Sequence, residues 1–170
     1  MYNRAARWQA PSRDRIFGIA VADMLFARCY PDYFRLAQYV FTEVVWDAAA
    51  SSRRREQVLE AGRPIGEMIL QIFQEAVETG DLDARGWTLA ELAVSPWTLC
   101  LGMHTLVHAQ GMLQHYDVHD PYRLLMCNIH HLLNGYGWRP LFEPADGAAL
   151  DAMIKRICAE VFHDICGIGD

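Results

Sequence analysis

TLAELAVSPWTLCLGMHTLVHAQGM, residues Thr88 to Met112, is the stretch whose reading decides the fold. Thr88 followed by Glu91 is a capping box, in which the threonine hydroxyl and the glutamate carboxylate each satisfy a backbone donor at a helix start. Beyond it, Leu89, Leu92, Ala93, Trp97, Leu99, Cys100, Leu101, Met103, Leu106 and Val107 leave almost no wet face. A helix apolar on every side has to be covered on every side. Its own domain covers one flank, and a second copy of the chain is the simplest cover for the other.

Working outward, every neighbouring segment also reads as helix. Ser12 is placed to cap a helix over 13–29, with Asp14 near its positive end and Ile16, Phe17, Ile19, Ala20, Met24, Phe26 and Ala27 around most of its axis. Pro31 opens another helix, 31–46, rich in aromatic side chains. A third runs from Ser51 or Ser52 to Thr79, with Gly80 as its stop and Pro64 expected to kink or divide it. Asp120 and Pro121 start a helix ended by Gly135, and a last one covers about 148–165. No segment alternates with period two for long enough to be a strand. The expectation is an all-α antiparallel bundle of about six helices.

At 170 residues the chain fits one domain, and 52% hydrophobic with 21% charged residues describes a globular protein on the apolar side. A formal charge of −6 argues against a nucleic-acid surface here, since backbone binding needs clustered Lys and Arg. The one basic run, Arg53-Arg54-Arg55, lies beside Glu56 and Glu60 and reads as a solvated helix face. Five cysteines at irregular spacing do not make a disulfide framework, which points to a reducing, cytoplasmic setting. Asp23, Arg28, Glu43 and His104 interrupt the longest apolar runs, so no membrane span is expected. Gly-x-Ser-x-Gly, a phosphate-cradling glycine loop and His-Glu-x-x-His are all absent, and no enzymatic activity or cofactor is expected.

Several phrases follow one another in a telling order: DRIFGIAVADMLFARCYPDYFRLAQYVFTEVVW, FQEAVETGDL, WTLCLG inside an apolar helix, and HHLLNGYGWRP. In order and wording they resemble the C-terminal regulatory domain of the tetracycline-repressor (TetR) family of transcriptional regulators, over about 13–140. The resemblance implies an all-helical homodimer whose helices enclose a small effector and whose dimer forms through a four-helix bundle. It also implies a DNA-binding helix-turn-helix head. The expectation here is that residues 1–12, which hold only MYNRAARWQAP before Ser12, are a connector arm without that head, and that 13–170 form the regulatory domain.

Candidate site residues follow from chemistry and from the resemblance together. A small apolar or aromatic effector would be walled by Met24, Tyr39, Phe73, Trp97 and Cys100, with polar selection by Asp23, Gln38 or His104. Phe41 and Trp46 belong to the same aromatic group. Asp23 and Glu43 sit in apolar faces, where a carboxylate needs an arginine, a tyrosine hydroxyl or a ligand. The dimer seam is expected at Leu101, Gly102, Leu106, Tyr122, Leu125, Ile129 and Leu132, from 88–112 and 120–135 of each copy. Two alternatives stand beside this reading. His104 and His108, one turn apart, with His130 or His131 near, are spaced to hold a metal or haem, although such histidines more often simply pack in a core. The other alternative is a dimerisation module without a ligand. Glu160 and His163 match a Glu-x-x-His element that lacks its required second pair.

Overall fold

The computed structural model describes residues 1–40 and 52–166. Among these residues there are nine helices and no strand: α1 (Tyr2–Ala6), α2 (Ser12–Cys29), α3 (Pro31–Val40), α4 (Ser52–Glu78), α5 (Leu89–His108), α6 (Met112–His115), α7 (Pro121–Gly135), α8 (Gly147–Val161) and α9 (His163–Cys166). Phe41, Glu43 and Trp46 lie outside the described residues.

The helix starts obey local chemistry. Thr88 Oγ1 accepts from the Glu91 backbone at 3.2 Å while Glu91 Oε2 accepts from the Thr88 N–H at 2.8 Å, completing the expected capping box. Asp120 accepts from Arg123 N–H at 3.0 Å ahead of Pro121. Asp146 does the same for Ala149 at 2.9 Å. Ser12 is not a cap. Pro11 occupies the cap position, and the Ser12 hydroxyl instead accepts the indole N–H of the fully buried Trp138 at 3.1 Å.

Helix ends differ from the sequence reading in instructive places. Gly80, at φ +78°, does stop α4, letting its own N–H bond Val77 O and Leu82 N–H bond Ala76 O. Gly135 stays helical, and the left-handed residue that turns the chain after α7 is Gly137, at φ +70°. The final segment is two helices, broken between Val161 and His163, where Phe162 drops into the core. Pro64 does not divide α4, which runs through it for 27 residues. A proline's missing N–H is tolerated there because the surrounding turn is exposed and water can serve the freed carbonyl.

The larger correction concerns the centre. α2 touches α1, α3, α4, α5, α7 and α8, and 13 of its 18 residues are buried. α5, apolar all round in sequence, buries only Leu92, Cys100 and His104 within one chain. Residues 1–12 are also more than an arm, because α1 packs on α2 and α4 with Ala5 and Ala6 buried. Gly18 faces α1 there, and an added Cβ would be in ordinary contact with Ala5 Cβ, at 3.5 Å.

No described helix is long and apolar enough to cross a membrane. The α7 cap gives a first test. Asp120→Ala should lower the unfolding free energy by about 1 kcal/mol in urea titration, with the slope of the transition unchanged.

Candidate functional site

Three of the residues expected around a ligand, Asp23, Cys100 and His104, meet in one place. Asp23 on α2 receives the His104 Nε2 hydrogen bond from α5 at 2.8 Å. It also receives the Tyr2 hydroxyl from α1 at 2.5 Å, and Cys100, one turn before His104, lies beside it. Three helices therefore converge on one carboxylate.

Spacing explains the assembly. Cys100 and His104 are i, i+4 and share the α5 face that meets α2. His104 is 0% exposed and the Asp23 side chain 19% exposed. The His104 ring lies 4.3 Å from the Phe34 ring and 5.5 Å from that of Tyr122, while Arg28 stacks over Tyr122 at 4.8 Å. The outcome for Asp23 is the tyrosine-hydroxyl option among the partners expected for it, with a histidine added.

This arrangement favours hydrogen bonding over nucleophilic chemistry. Burial, followed by the charge of Asp23, pushes both the Cys100 thiol and the Tyr2 phenol far above their ordinary ranges, so both keep their protons. With Nε2 engaged by Asp23, Nδ1 is the second hydrogen-bonding atom of the His104 ring. That buried Nδ1 has no protein hydrogen bond, nor does the buried Nε2 of His108. Among the described residues no group of three or more metal-capable side chains comes together. His104 Nε2 is already engaged by Asp23, and Glu160 is engaged by Trp8 and Arg156, away from any pairing with His163.

The other expected residues disperse. Met24 is buried in the core beside this cluster. Phe73 is fully buried on the far side, edge-on to Trp138 at 4.7 Å. Tyr39 and Trp97 are half exposed, and Gln38 donates to Leu101 O at 3.3 Å. Among the described residues, one concavity of about 740 Å³ is bordered by Trp8, Arg15, Pro64 and Met68, and another of about 140 Å³ by Leu106, Leu113 and Pro121. Neither is lined by the residues expected to wall an effector. Of the expected dimer seam, Tyr122, Leu125 and Ile129 are buried by the chain itself and leave no surface for a second copy. Leu101 and Leu132 are partly exposed, and Gly102 and Leu106 are exposed.

A second polar station was not anticipated. Arg13, 1% exposed, donates to His130 Nδ1 at 3.1 Å and to Asn134 Oδ1 at 2.6 Å, joining α2 to α7. The His130 ring is sandwiched between Phe17 and Phe142, at 4.0 and 3.8 Å. Tyr2 was likewise missed, because a five-residue helix has no period to read. The Arg13 station left one signal, a charged residue at the head of an apolar helix.

No family model, no curated protein and no solved structure matches this chain. The site therefore has to be read from its own geometry.

Burial, reinforced by the Arg13 charge, lowers the His130 pKa to about 3. The unfolded chain takes up a proton near pH 6.5 that the folded chain refuses, so folding loses stability as pH falls from about 6.5 toward 3. The loss should reach at most about 1.4 kcal/mol per pH unit, and His130→Asn should flatten it in urea titrations between pH 7 and pH 4.5.

Proposed function

We propose that this chain is the ligand-sensing, dimerising regulatory domain of a TetR-like transcriptional regulator. The observation that carries the reading is the apolar surface left on α5 and α7. Val94 is 48% exposed, Trp97 50%, Leu106 41% and Leu124 39%. A lone chain leaves this surface in water, and a second copy related by a two-fold axis covers it. α5 and α7 pack on each other, so two copies would supply four helices to one bundle.

The effector reading is supported by the Asp23–His104 cluster. Its buried Nδ1, which has no protein partner, leaves a hydrogen-bonding position open in apolar surroundings. The matching molecule is a small apolar or aromatic one bearing a hydroxyl. Reaching Nδ1 would require α5 to shift against Phe34 and Tyr122, the rings packed around it. In this reading that shift links binding to the dimer surface on the other side of the same helix. DNA is contacted only by a helix-turn-helix head outside these residues.

Gly102 gives the cleanest experiment. Within one chain a Cβ at Gly102 meets nothing within 4 Å, so Gly102→Leu leaves the single-chain fold undisturbed and improves helix propensity. In the dimer it would hold two helices apart. An obligate seam of this kind buries at least roughly 2,000 Å² in total. Sedimentation equilibrium at micromolar concentration should give a wild-type dimer, with Gly102→Leu and Trp97→Glu shifted to monomer. Leu59→Glu, on the exposed face of α4, should remain a dimer. A wild-type monomer rules the reading out.

A further inference from the structure

Cys158 on α8 and Cys166 on α9 lie eight positions apart, with their sulfurs 2.6 Å from each other. That separation is only about half an ångström longer than the S–S bond of a disulfide, about 2.05 Å. The two sulfurs are already nearly at bonding distance.

The backbone around them is fixed by other contacts. Phe162, fully buried between the two helices, donates its N–H to Cys158 O at 3.1 Å and accepts the N–H groups of Ile165 and Cys166 at 2.9 Å. Arg4 of α1 forks onto Asp164 at 2.7 and 3.0 Å and lies 5.3 Å from the centre of the Phe162 ring. The cysteine pair is thus brought together by a corner that packing and hydrogen bonds hold, independent of the state of the sulfurs. Both residues are partly exposed, so a small reagent has access.

The remaining cysteines stand apart from this pair. Cys100 is buried against Asp23, the thiol of Cys127 faces Pro144 O, and Cys29 is exposed on α2. The Cys166 thiol packs against Cys158 Sγ, and burial together with that contact raises it above the ordinary range.

We propose that Cys158 and Cys166 are a modification site, a dithiol that closes reversibly into an intramolecular disulfide on meeting a low-molecular-weight disulfide such as oxidised glutathione. The thiolate of one cysteine of the pair attacks one sulfur of the oxidant, forming a mixed disulfide and releasing one thiol. The other cysteine then loses its proton and attacks the sulfur of the first, displacing the second thiol. Two protein thiols are oxidised, one oxidant disulfide is reduced to two thiols, and no other co-reactant is needed. Closure would lock α9 onto α8.

Oxidised glutathione and the folded chain are the probe. No lysine or arginine lies between Ile157 and Asp170, so both cysteines fall in one tryptic peptide. After incubation, blocking with iodoacetamide and digestion without reductant, that peptide should be two hydrogens lighter and carry no alkyl group. Dithiothreitol before blocking should restore a doubly alkylated peptide. In Cys158→Ser, Cys166 should end as an alkylated or glutathione-bearing residue, with the far-UV helical signal confirming that the variant is folded. A wild-type peptide that is doubly alkylated, stops at the glutathione adduct, or is joined to Cys29, Cys100 or Cys127 overturns the proposal.

Discussion

The structure depends on one buried carboxylate finding its donors. Asp23 sits in the middle of a helix that is otherwise apolar on nearly all sides, where an unpaired charge would cost several kcal/mol. It is satisfied by groups from two other helices, Tyr2 and the Cys100–His104 turn. A five-residue helix such as α1 has no stability of its own in water. It persists because its tyrosine completes the Asp23 shell and its alanines fill the space that Gly18 leaves open. The same residue engages His104 Nε2 and leaves the buried Nδ1 of that ring without a protein partner.

A second polar contact holds the other end of α2. Arg13 reaches His130 and Asn134 on α7, and Asn134 in turn donates to Phe142 O at 2.5 Å in the loop before α8. The central helix is thereby keyed near its start and past its middle by directional bonds, with non-directional packing of Phe17, Val21 and Ile129 between them. Apolar packing alone permits rotation and sliding of helices, whereas two polar keys some three turns apart allow one register.

The sequence made the helices legible, and a large part of the polar site as well. Thr88, Asp120 and Pro121 announced helix starts through local hydrogen bonding, which tertiary structure does not overrule. Asp23 and His104 stood out because charge in an apolar face demands a partner. What could not be read is what covers an apolar face. Periodicity marks Leu125 and Ile129 as apolar in the same way as Trp97 and Leu106, yet the first pair packs inside the chain and the second lies open. Phe73 and Trp97 were grouped as possible walls of one cavity for the same reason, yet Phe73 is fully buried against Trp138 while Trp97 is half exposed. Ser12 was a plausible cap whose hydroxyl the distant Trp138 claimed instead, 126 positions along the chain.

A double-mutant cycle joining Tyr2→Phe and Asp23→Asn tests the central claim most directly, with unfolding free energies from urea titration of the wild type, both single variants and the double variant. If the buried carboxylate holds α1 to the core, each single change destabilises the fold and the two are coupled by about 1–3 kcal/mol. Changes that add to within about 0.5 kcal/mol would mean that Tyr2 and Asp23 act independently, and the account of a fold keyed on Asp23 would fail.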